Sequence, residues 1–370
     1  LSLGVEVETN HPIDRQSILD LARDNDAVLV ATGQQDQRDL QLGMDRVEAV
    51  VQGIDFLDRV HRNKVRVDGE DVIVIGGGNT AIDAARSALR LGAASVRVVY
   101  RRTRAEMPAI SEEIDESLEE GIAIDYLTQP MALHEDPTDG VRRHYRLTCR
   151  RMKLGEADES GRRSPREIAD SDFDVACHRI ILALGQSPDL SVFPEGTEVR
   201  EGAQLLGLLE TPVFAVGDLA TREGTVAGAI GSGRRSAVQI HNVLSGEQIE
   251  MTRHADAQRD VDVWRDEVIR ADAMKLHLFE RQAVAVGESL PAEKRRSTFD
   301  EIHTGLENTA EASRCLSCGV CNECDLCVTY CPEGMLKRVG HRFEFDYSYC
   351  KGCGVCAAEC PRNVIVMSHL

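Results

Sequence analysis

Residues 71–100 read DVIVIGGGNTAIDAARSALRLGAASVRVVY, and this stretch decides the fold class. Asp71 to Ile75 form a short apolar strand that runs into Gly76-Gly77-Gly78. From Asn79 to Leu91 the apolar residues Ala81, Ile82, Ala85, Ala88 and Leu89 recur at helical spacing, and Gly92 ends that helix. Residues 95–100 supply the next strand. Together they predict a βαβ unit of about thirty residues. The pattern Gly76-x-Gly78-x-x-Ala81 falls where the strand turns into the helix. Such a turn brings backbone close to a pyrophosphate and aims helix amides at its oxygens. Gly76, Gly78, Asn79, Thr80 and Ala81 are therefore candidate binding residues. The second strand closes on Tyr100-Arg101-Arg102, where an NAD site carries an acidic residue. Arg101 and Arg102 suit a 2′-phosphate instead, so NADP(H) is expected ahead of NAD(H). The plain alternatives are a glycine turn without ligand and two solvated surface arginines.

Similar short α/β pieces lie on both sides. Residues 27–31 are a compact apolar strand followed by Thr32-Gly33. Pro212 to Val216 form another, closed by Gly217-Asp218, and a Gly- and Ala-rich helix spans Thr225 to Leu244. An aspartate at such a strand end can accept a hydrogen bond from a flavin ribityl hydroxyl, though Gly-Asp is also an ordinary turn. A charged helix is expected from Ser111 to Glu120. Strand-like segments follow at 122–127, 143–154 and 177–184, with a polar hairpin loop at 155–172. Residues 247–310 are charged, free of cysteine and partly helical, and read as a linker that wraps or docks.

Ten of the 12 cysteines lie between Cys315 and Cys360. Cys321-x2-Cys324-x2-Cys327-x3-Cys331-Pro332 is one complete run, and Cys350-x2-Cys353-x2-Cys356-x3-Cys360-Pro361 is a second. This is the spacing of bacterial ferredoxins with two [4Fe–4S] clusters, in which the fourth cysteine of each run reaches the other cluster. By that logic Cys321, Cys324, Cys327 and Cys360 hold one cluster, and Cys350, Cys353, Cys356 and Cys331 hold the other. Structural zinc also uses paired Cys-x2-Cys, but it needs four ligands and not triplets followed by Cys-Pro. Cys315 and Cys318 continue the same spacing upstream. They read as spare ligands, as ligands of a further centre, or as two free thiols beside the module.

Composition narrows the function. The 370 residues suggest two or three domains at about 150 residues each. Lys and Arg number 43 against 62 Asp and Glu, a net charge of −19 that disfavours nucleic acid. No apolar run reaches the length of a transmembrane helix. The crowded cysteines, without a signal peptide, point to metal ligation in a reducing, cytoplasmic compartment.

Several strings resemble the glutamate synthase small-subunit family of flavoproteins: Ala31-Thr32-Gly33, residues 76–81, Tyr100 to Ala109, and Ala215 to Asp218. The most specific is Tyr-Arg-Arg-Thr-Arg-Ala-Glu-Met-Pro at 100–108. The resemblance extends from residue 1 to about 246. It implies an α/β fold with two nested Rossmann-like dinucleotide-binding domains. FAD would contact 1–45 and 181–246, through Gly33, Gly217, Asp218, Thr225 and Val226. The pyridine nucleotide would sit on an inserted domain at 46–180. The linker would then cover 247–309, and a small α+β ferredoxin-like domain 310–370. The family's first FAD-binding Gly-x-Gly-x-x-Gly is not in the chain and is expected upstream of Leu1, so the chain is expected to hold part of the FAD site.

The cysteine-rich tail resembles fused members of the wider family, including the iron–sulfur flavoprotein that partners dissimilatory sulfite reductase. The resemblance implies an oxidoreductase that passes electrons between NAD(P)H, FAD and two [4Fe–4S] clusters, to or from a redox partner protein or subunit. A glutamate synthase small subunit and a non-catalytic electron-transfer subunit are the alternatives.

Overall fold

A computed structural model describes residues 4–43, 48–136, 144–157, 163–193, 197, 199, 211–246, 272, 274–285, 287–303, 305–306, 310–365 and 367. The chain divides into two compact units, Leu1–Ile249 with Leu290–Ile302, and Glu250–Ser289 with His303–Leu370.

The first unit opens with helix α1 (Arg15–Asp24), strand β1 (Val28–Val30) and strand β2 (Asp36–Gln37). Strand β3 (Val50–Gln52) leads into α2 (Gly53–His61), and β4 (Asp71–Gly76) leads into α3 (Asn79–Arg90). Strand β5 (Ser95–Val99), helix α4 (Ser111–Glu119) and strand β6 (Ala123–Asp125) follow. Next come β7 (Thr128–Asp136), β8 (His144–Ala157), β9 (Arg163–Cys177), β10 (Arg179–Ala183) and β11 (Gln186–Ser187). Strand β12 (Val213–Ala215), α5 (Asp218–Thr221) and α6 (Val226–Ser245) complete the run.

Five strands form a parallel sheet in the order β3-β10-β4-β5-β6. Its central strand β4 is apolar on both faces, as a covered parallel strand must be. Val72 and Val74 pack with Ala81, Ala84, Ala85 and Ala88 of α3. Ile73 and Ile75 face the opposite way, into a core with Leu133, Tyr145, Leu147, Cys149 and Cys177 from the antiparallel sheet β7-β8-β9. The period-2 alternation of a strand thus divides one apolar run between two cores. Strands β1 and β12 pair in parallel as a separate sheet, backed by Ile18 and Ala22 of α1.

Of the stretch 155–172, residues 155–157 and 163–172 are strand and depart from the loop reading, while 158–162 lie outside the described residues. Strand β8 runs to Ala157 and β9 begins at Arg163, with Met152 opposite Glu167 and Leu154 opposite Pro165. Gly155, Ser164 and Pro165 look like turn residues in isolation. They sit in the strands beside a register shift between Leu154 and Ala157, flanked by a cross-strand ion pair. Arg150 Nε lies 2.6 Å from Asp172 Oδ1, and its Nη1 lies 2.6 Å from Glu167 Oε2.

Within the stretch read as a linker, Leu290–Ile302 belongs to the first unit. Its short helix α7 (Ala292–Arg295) carries Arg295, which is 4% exposed, to Glu119 and Glu120 beyond α4. The Glu120 carboxylate also takes Arg86 Nη2 at 2.6 Å and Arg90 Nη2 at 3.3 Å. Arg90 Nε donates to the carbonyl of Thr298 at 2.8 Å. A carboxylate with no solvent exposure is tolerable only with such partners.

The second unit contains α8 (Ala310–Ser313), α9 (Leu326–Thr329), the antiparallel hairpin β13 (Leu336–Val339) and β14 (Arg342–Phe345), and α10 (Val355–Ala358). It has an internal repeat: 29 residues separate Cys321 from Cys350, Cys331 from Cys360, and the start of α9 from the start of α10.

Candidate functional site

The second unit encloses a cavity of about 890 Å³. All eight cysteines of the two runs line it: Cys321, Cys324, Cys327, Cys331, Cys350, Cys353, Cys356 and Cys360. Leu336, Phe343, Phe345, Val364 and Ile365 supply apolar wall. Burial pushes the Cys356 thiol up, and the neighbouring sulfurs of Cys353 and Cys331 push it the same way. Burial likewise raises Cys327, together with Cys321 and Cys324. Cys331 is thus one of the sulfurs near enough to act on Cys356.

Backbone amides already point at several sulfurs. The N–H of Met335 donates to Cys331 Sγ at 3.3 Å, and that of Val364 donates to Cys360 Sγ at 3.2 Å, at matching positions of the repeat. The N–H of Glu323 donates to Cys321 Sγ at 3.4 Å. The Met335 contact is the main reason the Cys331 thiol is lowered. Such donors stabilise thiolates and, through them, a cluster that accepts electrons. Two iron–sulfur cubanes fit this donor set: four thiolates for each, an apolar wall and preformed N–H···S bonds. Cys315 and Cys318 are exposed and do not line the cavity. The N–H of Ser317 lowers the Cys315 thiol.

In the first unit, the turn after β4 is shaped for close approach. Gly76 has φ +149°, and a Cβ there would stand 2.2 Å from the carbonyl oxygen of Ala183 on β10. A Cβ on Gly77 would stand 2.4 Å from the Tyr100 ring. One on Gly78 would meet nothing within 4 Å, so the backbone there faces open space. Gly78 is the N-cap of α3 and offers no side-chain cap, which leaves the first amides for an anion. Ala81 is fully buried, and the methyl of Thr80 lies toward Gly53. Asn79 does not point into the open space: its Oδ1 accepts from the N–H of Ile110 at 3.0 Å.

The string at 100–108 braces this turn. Tyr100 Oη donates to the carbonyl of Glu106 at 2.7 Å, and the N–H of Ala109 donates to the carbonyl of Gly77 at 3.1 Å. The Glu106 carboxylate accepts from the hydroxyl and N–H of Thr103 and from Arg163 Nε at 2.8 Å. The Thr103 hydroxyl first, and then Arg163, hold that carboxyl below its usual range. Arg101 is exposed at the end of β5. Arg102 is 7% exposed, and its Nε donates to the carbonyl of Arg163 at 2.8 Å. The two arginines therefore occupy different environments. Sequence reasoning did not single out Tyr100, Glu106 or Arg163 for these contacts. The Thr103-x-x-Glu106 capping box was the available signal.

Strands β1 and β12 run parallel, with Val30 opposite Ala215, so Gly33 and Gly217-Asp218 follow the same end of that pair. This is where open α/β sheets receive ligands. Gly33 and Gly217 both take positive φ, +72° and +62°. The N–H of Gly217 donates to Ser232 Oγ at 2.9 Å, and Asp218 Oδ1 accepts from Gly224 N at 3.0 Å. Thr225 caps α6 by accepting from Gly228 N at 3.1 Å. Val226, beside it, is 79% exposed.

Asp71, His144 and His178 also gather. The N–H of Asp71 donates to His178 Nδ1 at 3.0 Å, which commits that nitrogen as an acceptor and keeps the proton on Nε2. The group is a strand-end contact, with no nitrogen of His178 free for a cation.

A family model described as pyridine nucleotide-disulphide oxidoreductase matches residues 13–233, and one described as 4Fe-4S binding domain matches residues 343–366. Among curated relatives, the NADP(+)-dependent formate dehydrogenase subunit beta of Moorella thermoacetica is 33% identical over 331 residues, covering 86% of this chain and 46% of that protein. The NADPH-Fe(3+) oxidoreductase subunit beta of Geobacter sulfurreducens is 31% identical over 365 residues, covering 86% and 52%. The glutamate synthase [NADPH] small chain of Azospirillum brasilense is 32% identical over 262 residues, covering 64% and 53%. The chain spans about half the length of these relatives. With its nucleotide turn, its parallel sheet and a family match across most of the first unit, the chain belongs to the pyridine nucleotide-disulphide oxidoreductase family, here joined to a 4Fe-4S binding domain.

Proposed function

We propose that this chain is the iron–sulfur flavoprotein part of an oxidoreductase that passes electrons between NADP(H), FAD and two [4Fe–4S] clusters, to or from a partner subunit. The observation that carries this reading is that one chain places eight cysteines around one cavity and also carries a family-matched dinucleotide turn. When bound, the flavin and clusters supply the conversion between two-electron hydride chemistry and single electrons.

The residues have separable tasks. Gly78 gives a pyrophosphate access to the α3 amides, with Gly76, Thr80 and Ala81 setting the turn. Asn79 fixes the 100–110 segment over it. Arg101, exposed at the end of β5, offers its guanidinium to a 2′-phosphate, while Arg102 anchors the segment to β9. Gly33, Gly217, Asp218, Thr225 and Val226 form this chain's share of the flavin site. Cys321, Cys324, Cys327 and Cys360 hold one cluster, and Cys350, Cys353, Cys356 and Cys331 hold the other. The nesting of domains at 1–45, 46–180 and 181–246 remains part of this reading.

Two of the relatives are named as beta subunits, which supports a partner subunit here. No helix among the described residues is long and apolar enough to cross a membrane. A reducing, cytoplasmic setting suits ten crowded thiols.

The test is anaerobic reduction with NADPH in the presence of FAD, on protein that also carries the rest of the flavin site. NADPH should bleach flavin absorption and then cluster absorption. Serine in place of Cys353 and Cys324 should leave flavin reduction intact and abolish transfer to a one-electron protein acceptor. Full transfer in that variant would contradict the proposal.

A further inference from the structure

The two halves of the 29-residue repeat differ in charge at equivalent backbone positions. Both cysteine loops need left-handed backbone between their first and third cysteines. The second loop meets this need with Gly352 (φ +63°) and Gly354 (φ +75°). The first loop uses Glu323 and Asp325, both at φ +59°. Glycine adopts this conformation freely, whereas a side chain is strained in it. Two carboxylates stand where the repeat shows that glycine serves.

Asp325 is the one of the two that lines the cavity. Its Oδ2 lies 3.3 Å from Arg338 Nη2 on β13. Its Oδ1 is buried and accepts no hydrogen bond. Arg338 is shared, since its Nη1 lies 3.7 Å from Glu323 Oε2, and His341 Nδ1 lies 2.9 Å from Glu323 Oε1. In the second loop the lining charge is Lys351, whose counterpart in the first loop is Asn322. Glu333 and Arg362 also line the cavity, each two residues past the fourth cysteine of its run. They carry the opposite pair of charges on the exchanged cysteines. Asp325 therefore acts on its own cluster without fixing the rank of the two potentials.

We propose that Asp325 is a potential-setting residue: its carboxylate, held in the left-handed turn by Arg338, lowers the reduction potential of the cluster on Cys321, Cys324, Cys327 and Cys360 and leaves the other largely untouched. The step is a one-electron reduction of the cluster from the 2+ to the 1+ state, the electron coming from the reduced flavin of the proposed chain or, in the titration, from an added chemical reductant. A fixed negative charge beside it opposes the incoming electron, the more so in a cavity with apolar walls. This rests on the two-cluster reading above.

The experiment is an anaerobic redox titration of the full chain, followed by electron paramagnetic resonance, with iron and sulfide counted in the same samples. Asp325→Asn keeps shape and tolerates positive φ; it should shift one of two one-electron waves to more positive potential and leave the other in place. Arg338→Gln should shift that same wave the opposite way. Gly354→Asp puts the carboxylate into the second loop, where a Cβ meets only Met367 Cγ at 3.9 Å, and it should move the other wave negative. Iron counts distinguish the two levels of failure. Unsubstituted chain with fewer than two clusters overturns the two-cluster reading and this proposal with it. Two clusters with both waves unmoved, or moved together, in the Asp325→Asn protein overturn this proposal alone. If that variant fails to load, an unmoved second wave in Gly354→Asp overturns it.

Discussion

The ring of Tyr100 occupies the space that a side chain on Gly77 would need, with Cε2 2.4 Å from the position of a Cβ. The end of β5 and the turn after β4 are thereby fixed to one another, and Tyr100 Oη is held by the Glu106 carbonyl at 2.7 Å.

Gly77→Ala and Gly78→Ala should therefore separate packing from binding. The first forces the buried Tyr100 ring to move and should cost about 1–3 kcal/mol of stability, the usual range for overpacking. The second points into open space at an ordinary φ of −91° and should leave stability nearly unchanged. Both should weaken NADPH binding by tenfold or more, about 1.4 kcal/mol. Thermal unfolding and NADPH titration read the two effects.

The adjacent arginines should also part company. Arg101→Ala should weaken NADPH use by roughly 10- to 100-fold, from a charge-assisted contact worth about 1.5–3 kcal/mol, with NADH use nearly unchanged. Arg102→Ala removes a buried guanidinium tied to the Arg163 carbonyl. It should lower stability and impair both nucleotides alike. Steady-state kinetics with each nucleotide and a melting curve check the split.

Arg295→Ala should destabilise the first unit by about 1–3 kcal/mol, because it removes the buried guanidinium that ties Leu290–Ile302 to Glu119 and Glu120, while Arg86 and Arg90 still pair Glu120. Arg295→Lys should not restore it fully, since a point charge cannot serve Glu119 and Glu120 as the guanidinium fork does. Denaturant unfolding measures both.

The thiols should divide into three classes. In cluster-loaded protein, Cys315 and Cys318 are exposed outside the cavity and should be alkylated first. The eight cavity cysteines should react only as clusters are lost. Cys149 and Cys177 are buried, and burial first of all raises each to about 12. They should resist alkylation until the chain unfolds. An unfolded thiol ionises near pH ~8.5, so this contribution to stability is complete below that pH and is lost as pH rises toward the folded value. Site-resolved mass spectrometry after timed alkylation, together with unfolding between neutral and alkaline pH, tests all three.

Much of this was legible in the sequence because the signals are local. The strand at 71–75, the Gly76-x-Gly78-x-x-Ala81 turn and the helix after it depend on neighbours a few residues away, and the two cysteine runs are read from spacing alone. Other features depended on residues far apart. The pairing of 163–172 with β8 sets residues such as Asp172 and Glu167 against Arg150, across some twenty residues of chain. The anchoring of Leu290–Ile302 rests on Arg295 meeting Glu119 and Glu120, more than 170 residues earlier. Arg101 and Arg102 look alike as neighbours; only the approach of β9 buries one and leaves the other exposed.

The central claim is that this nucleotide-binding chain carries two cubane clusters. Iron and acid-labile sulfide analysis of anaerobically prepared protein tests it most directly. The account predicts about eight of each per chain, from two four-iron clusters, with Cys331→Ser and Cys360→Ser each lowering the count toward about four. Zinc in place of iron, or about four irons in the unsubstituted chain, would contradict it.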